Sequence, residues 1–195
     1  AEAVNLPVAV AFDGFFTSHQ KRRCMIFADD QDVQDYVGPV RKRTDILDTE
    51  HPVTIGSYMN EPDLINNKYQ LHEAMEQALN EIEPLFEEFE ELSGRPQHLV
   101  ETYRAEDAAV VIFALGSTFH TLKEAVDQLR KEGIEAGAAT LTMIRPFPKA
   151  KLIEKIAHAQ TLIILDRQDS YGAQGGNMSL EIRAALQEAK LDCEV

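Results

Sequence analysis

Between Ala108 and Lys190, three short apolar runs alternate with three segments of helical spacing, and this alternation constrains the fold more than anything else in the chain. The runs are Ala108 to Leu115 (AAVVIFAL), Ala136 to Met143 and Thr161 to Leu165, each too short for a buried helix and apolar enough for a buried strand. After the first run, Leu122, Ala125, Val126 and Leu129 mark one face of a helix from about Phe119 to Lys131, with Gly133 as its C-cap. Lys151 to His158 reads as a second helix and Asn177 to Lys190 as a third. Strands joined through helices run parallel and cross over right-handedly, so the expected class is α/β, a mainly parallel sheet with flanking helices.

Sheets of this kind bind ligands beyond the carboxyl ends of their strands, which directs attention to two turns. The run Leu162 to Leu165 passes into Asp166, Arg167, Ser170, Gly172, Gly175 and Gly176 before a helix opens at Asn177. The glycines allow backbone conformations closed to other residues and a close approach of a ligand or another strand of backbone. Their G-x-x-G-G spacing departs from the dinucleotide fingerprint, and no acid follows about 20 residues on, so no nicotinamide site is expected. Gly116-Ser117-Thr118 also opens a helix after a buried run. It is no P-loop; its N–H groups could hold an anion, or Ser117 and Thr118 are ordinary caps.

Asn66 to Leu92 carries a longer pattern. Leu71, Met75, Ala78, Leu79, Ile82, Leu85, Phe86, Phe89 and Leu92 share one helical face, and eight glutamates cover the other. The glutamates read as a solvated face rather than as acid/base or metal-binding pairs. Pro84 is expected to kink or divide the helix, and Ser93-Gly94-Arg95-Pro96 to end it. The helix has the look of a tether packing across two domains.

Upstream, Pro7 to Phe12 and Cys24 to Ala28 are strand candidates. Between them Thr17 and Ser18 either cap a helix or, with His19, line a site at a strand end. Asp29 to Tyr36 reads as a short helix stopped at Gly38-Pro39. Val40 to Pro62 is connection, with a basic trio at Arg41, Lys42 and Arg43 and a further short strand within Pro52 to Tyr58.

A net charge of −14 argues against nucleic-acid and anionic-membrane partners, which need basic patches. The six histidines form no H-x-x-x-H pair and no G-x-S-x-G elbow occurs, so neither a metal site nor a serine nucleophile is expected. Two distant cysteines supply neither a disulfide framework nor the four thiolates of an iron–sulfur cluster. The apolar runs are too short to span a membrane, and the start at Ala1 has no signal-peptide pattern, as in a cytoplasmic protein. That start also reads as a piece of a longer polypeptide.

Several motifs, in order, resemble one family: PVAVAFDGF with Thr17-Ser18-His19, YQLHEAM from Tyr69, VETYRAEDA from Val100, ALGST from Ala114, Arg145-Pro146-Phe147-Pro148, and Leu165-Asp166-Arg167 with the glycine loop. The chain is similar to the α subunit of pyruvate:ferredoxin oxidoreductase and related 2-oxoacid:acceptor oxidoreductases. The resemblance implies the end of a thiamine-diphosphate pyrimidine-binding α/β domain and its crossing over residues 1–60, a linking acidic helix over 61–99, and a transketolase C-terminal-like domain over 100–195. It implies oxidative decarboxylation of a 2-oxoacid to an acyl-CoA. The whole complex would then carry thiamine diphosphate with Mg²⁺, iron–sulfur clusters and coenzyme A, none of them bound completely by this chain, with ferredoxin or another acceptor and further subunits as partners. The family's activating glutamate and its substrate-binding threonine and arginine have no match here, so no catalytic residue is assigned. Thr17, Ser18 and His19 stand nearest the family's active site. Asp166, Arg167, Ser170, Gly172, Gly175 and Gly176 become a domain-interface turn, facing the coenzyme A approach or a partner. The competing expectation is a non-catalytic assembly module.

Overall fold

A computed structural model describes residues 1–15, 17–39, 48–52, 56 and 59–195. The basic trio Arg41 to Arg43 and most of the strand candidate within Pro52 to Tyr58 lie outside them. The chain forms two units, Ala1–Val10 with Arg22–Gln97, and Ala11–Lys21 with His98–Val195.

The first unit holds two helices, α1 (Asp30–Val37) and α2 (Asp63–Ser93). Asp29 caps α1 by accepting the Gln31 N–H at 2.9 Å, and Gly38 closes it by donating to the Gln34 carbonyl. Gly94, in the left-handed region at φ 67°, ends α2 as expected, its N–H reaching the Glu90 carbonyl at 2.7 Å. Pro84 does not divide α2. Proline deletes one backbone bond, and the turns on either side keep theirs along a 31-residue helix. Part of the apolar stripe is covered locally: the Phe89 ring meets Phe27 edge-on at 6.5 Å, and the Tyr36 hydroxyl donates to the Leu85 carbonyl at 3.0 Å. Ala78 is the one residue of α2 that is buried.

Pro7 to Phe12 and Cys24 to Ala28 are not strands. Val10, Met25 and Ile26 stand 85%, 78% and 89% exposed. β-branched, apolar sequence favours a strand only where a ladder exists to receive it, and among the described residues no strand pairs with either segment.

The second unit is the expected α/β sheet. It contains β1 (Val100–Tyr103), β2 (Val110–Ala114), α3 (Thr118–Lys131), β3 (Ala136–Leu141), α4 (Lys149–Ile156), β4 (Thr161–Leu165) and α5 (Asn177–Glu188). The strand order is β1-β3-β2-β4. β2 pairs in parallel with β3 and β4, whereas β1 pairs antiparallel with β3, Val100 opposite Leu141. Sequence periodicity misses β1, because VETY is short, half polar and only partly buried.

Alternation along β2 and β3 builds the core. Ile112, Ala114, Ala136 and Ala138 pack with Phe119, Leu122 and Val126 of α3. Leu152, Ile156, Ile182 and Leu186 of α4 and α5 are buried as well, and these two helices touch each other. Each such large side chain contributes about 1.5–3 kcal/mol. β4 departs from the expected buried strand: Ile163 and Leu165 are 43% and 44% exposed. Register places them beside Ile112 and Ala114, on the α3 side, and α3 packs mainly over β3 and β2. Beyond α5 the tail runs back along β4, where Leu162 donates to the Glu194 carbonyl at 2.8 Å and Glu194 to the Gln160 carbonyl at 3.0 Å.

Candidate functional site

From β2 the chain passes through α3 to β3 on one side, then returns through α4 to β4 on the other side of β2. The direction of strand addition therefore reverses between β2 and β4, and the crevice at their carboxyl ends is where such sheets bind ligands. Gly116 and Ser117 follow β2; Asp166 and Arg167 follow β4.

The segment Ala11–Lys21 belongs to this unit and delivers Asp13 to the crevice. One Asp13 oxygen accepts the Ser117 N–H at 2.6 Å, and the other accepts from Arg167 Nη1 at 2.9 Å. Gly116 has φ +63°, and a Cβ there would stand 2.8 Å from Asp13 Oδ2. The Ser117 hydroxyl and N–H, with the Arg167 guanidinium behind them, hold the Asp13 carboxyl below the usual carboxylate range against a desolvation that opposes them. The anion at the start of α3 is the chain's own carboxylate.

Four residues on lies the turn with Thr17, Ser18 and His19. It closes through the His19 N–H to the Phe15 carbonyl at 2.9 Å, with Phe15 in the left-handed region at φ 55°. The Phe15 and His19 rings stack at 5.4 Å, and Ser18 Oγ lies 2.7 Å from His19 Nδ1. Thr17 is half-buried; Ser18 and His19 are exposed. The expectation that Thr17 or Ser18 caps a helix fails, since the next helix starts at Asp30.

Asp166 does for α5 what Asp13 does for α3. Its carboxylate accepts the Met178 and Ser179 N–H groups at 3.3 and 2.9 Å, and a Cβ on Gly176 would collide with it. Between them Asp169 bridges to Gly176, Ser170 Oγ donates to Asn177 Oδ1, and Gly172 takes φ +80° beside Tyr171, 93% exposed. The glycine loop is a closed turn on a carboxylate neck. Both helix N-termini at this edge are thus occupied internally, which fits the failed dinucleotide spacing. Gly175, at φ +138°, would place a Cβ 3.2 Å from Ser179 Oγ. A Gly175→Val substitution is expected to cost about 1–3 kcal/mol through backbone strain, read as a lower melting temperature.

Asp13 thus ties the Thr17–His19 segment to Arg167, whereas among the described residues no hydrogen bond joins Thr17, Ser18 or His19 to Ser170 or the glycines. Sequence reasoning passed over Asp13, because its partner Arg167 lies 154 residues away and no local pattern marks the pair. Among the described residues no three His, Cys, Asp or Glu side chains stand together as a metal site. Burial first, then Asp192 and Glu194, push the Cys193 thiol up. No helix among the described residues is long and apolar enough to cross a membrane.

Two family models match consecutive parts of the chain. Residues 1–87 match the thiamine-diphosphate-binding domain of pyruvate flavodoxin/ferredoxin oxidoreductases, and residues 108–195 match pyruvate:ferredoxin oxidoreductase core domain II. A pyruvate synthase subunit PorA of Thermotoga maritima is 42% identical over 173 residues, covering 89% of this chain and 44% of the relative. The Methanosarcina barkeri PorA is 34% identical over 96% of this chain and 46% of its own length. A ketoisovalerate oxidoreductase subunit VorA of Pyrococcus horikoshii is also 34% identical, over 95% of this chain and 47% of its own. The chain spans about half the length of these relatives.

Proposed function

Since this chain belongs to the pyruvate:ferredoxin oxidoreductase family, we propose that it forms part of the α subunit of a thiamine-diphosphate-dependent 2-oxoacid:ferredoxin oxidoreductase. The reaction is oxidative decarboxylation of a 2-oxoacid to its acyl-CoA, with the electrons delivered to ferredoxin in the cytoplasm. The carrying observation is that models from both halves of one family match in sequence order, over residues 1–87 and 108–195. Pyruvate is the favoured substrate, as in the names of the Thermotoga and Methanosarcina relatives; the Pyrococcus relative keeps a branched-chain acid as the alternative.

Thiamine diphosphate, held with Mg²⁺, supplies the electron sink for the carbanion left by CO₂. In this reading the chain does not complete that site. It has two cysteines against the four thiolates of a cluster, and no metal-binding group among its described residues. In this reading the diphosphate–Mg²⁺ site, the clusters and coenzyme A are held largely by other parts of the complex. Residues 1–60 close the pyrimidine-binding domain, 61–99 link, and 100–195 form the transketolase C-terminal-like domain. Thr17, Ser18 and His19 lie beside the reaction centre. Asp166, Arg167, Ser170, Gly172, Gly175 and Gly176 form a turn toward a neighbouring subunit. The exposed apolar segments around Val10 and Ile26 support a chain that works within an assembly.

A non-catalytic assembly module is the second reading, favoured by the two helix N-termini that Asp13 and Asp166 already fill. Pyruvate- and coenzyme-A-dependent reduction of ferredoxin separates the two. The isolated chain is expected to show no turnover, and a complex reconstituted with its complementing subunits to show it. Turnover by the 195 residues alone would overturn the first reading. A reconstituted complex equally active without this chain would leave the second.

A further inference from the structure

We propose that Asp13 is a positioning residue: it fills the reversal point between β2 and β4 and thereby fixes the Phe15–His19 turn against the carboxyl edge of the sheet. The role in turnover rests on the function proposed above; the anchoring itself does not.

Three observations carry this. Ser117 and Arg167 follow different strands, one on each side of the reversal, and the two oxygens of a single carboxylate reach both, at 2.6 and 2.9 Å. Gly116 leaves the space that this carboxylate needs, since a Cβ would stand 2.8 Å from Oδ2. The side chain of Asp13 is 19% exposed while that of Arg167 is 73% exposed, so the carboxylate sits in and the cation lies over it. A carboxylate between a helix N-terminus and a guanidinium is matched in charge on both sides.

The lever from Asp13 to the turn is short, with Gly14 alone between Asp13 and Phe15. The turn's own bond from His19 to Phe15, at 2.9 Å, and its ring stack, at 5.4 Å, make it move as one piece. Among its described residues the segment 11–21 has neither helix nor strand, so its place on the sheet depends on side-chain anchors. Where a strand-order reversal usually receives a ligand, this unit receives its own chain, and the turn is set at that edge.

The experiment uses the reconstituted complex with Asp13→Ala, Asp13→Glu and Gly116→Ala, following tryptic cleavage at the exposed Lys21, Arg22 and Arg23 together with the kinetics for pyruvate. Cleavage in Asp13→Ala is expected to be about ten-fold faster, because the released segment opens locally and can extend into the protease's active site. The kcat/KM is expected to fall about ten-fold or more, as misplacement near a reaction centre does. Gly116→Ala should reproduce both effects by expelling the carboxylate from the opposite side. Asp13→Glu, which keeps the charge, should recover part of each. Unchanged cleavage in both Asp13→Ala and Gly116→Ala would refute the anchor. Faster cleavage with unchanged kcat/KM, or no recovery by Glu, would refute the positioning role. A wild-type complex without turnover would strike the proposed function alone, and cleavage would still decide the anchor.

Discussion

A Gly137→Val chain is expected to lose its second unit at temperatures where the parent remains folded. Gly137 lies in β3, which is wholly buried and flanked by strands on both sides. A Cβ there would stand 2.7 Å from the Arg104 carbonyl oxygen and from the Ala105 Cα, and 2.9 Å from the Ala108 Cβ. Two of those atoms are backbone, and they belong to the connection between β1 and β2. The clash therefore cannot be relieved by a rotamer; the connection must lift, taking the β1 edge with it. Overpacking in a rigid core costs about 1–3 kcal/mol, and occasionally more. With a branched side chain against backbone, the upper end, about 3 kcal/mol, is expected. For a chain of this length that corresponds to a fall in melting temperature of roughly 6–12 °C. Gly137→Ala should fall part of the way. A valine variant melting within about 2 °C of the parent would mean that the connection yields freely.

Arg130→Met should cost about 2 kcal/mol, by a different route. The guanidinium leaves the end of α3 and donates to the Ala136 carbonyl at 2.6 Å, the Arg104 carbonyl at 2.8 Å and the Asp107 carboxylate at 3.0 Å. It joins the end of α3 to the β1–β2 connection and to the amino end of β3, and its side chain is only 14% exposed. Methionine keeps most of the stem and removes every donor, leaving the Ala136 carbonyl without its side-chain donor. Asp107 is 69% exposed, so its half of the ion pair contributes little, and Asp107→Asn is the control. Denaturant unfolding followed by circular dichroism should show Arg130→Met displaced and Asp107→Asn close to the parent. Equal displacement would move the stabilisation from the carbonyls to the ion pair.

The two variants probe contacts that differ in how far they can be read from sequence. Arg130 sits in the last turn of a helix that periodicity predicts, where a basic residue is favoured, but its acceptors lie in the β1–β2 connection and at the start of β3. Gly137 looks like a weak point in a strand; that the connection before β2 closes on it is invisible until β1 is paired with β3. The candidate site divides in the same way. The glycine loop announces itself through Gly172, Gly175 and Gly176, and Thr17-Ser18-His19 through its motif. The residue that joins the two regions of chain, Asp13, reads locally as no more than a strand breaker.

Where the sequence misled, it did so over pairing. Val8, Val10, Met25 and Ile26 have strand propensity and stand exposed. Val100 to Tyr103 is too short and too polar to stand out, yet forms a ladder with β3. Ile163 and Leu165 belong to a strand but lie on the α3 face beyond the two strands that α3 mainly covers. Propensity is a property of a residue and its neighbours along the chain, whereas a ladder or a buried face requires a second segment at the right distance.

Hydrophobic spacing by itself determined the alternating helices and strands from Ala108 onward, the long acidic helix with its Gly94 stop, and hence the parallel α/β class. The ordered motifs determined the family. Only the tertiary structure decided that β1 joins antiparallel, that β4 is half open, and that Asp13 and Asp166 occupy the N-termini of α3 and α5 beside the β2–β4 crevice. Periodicity and capping act within a few residues, so they are written locally. The carboxylate that crosses 104 residues to reach Ser117 is selected by the geometry of the folded sheet, and nothing along the chain records it.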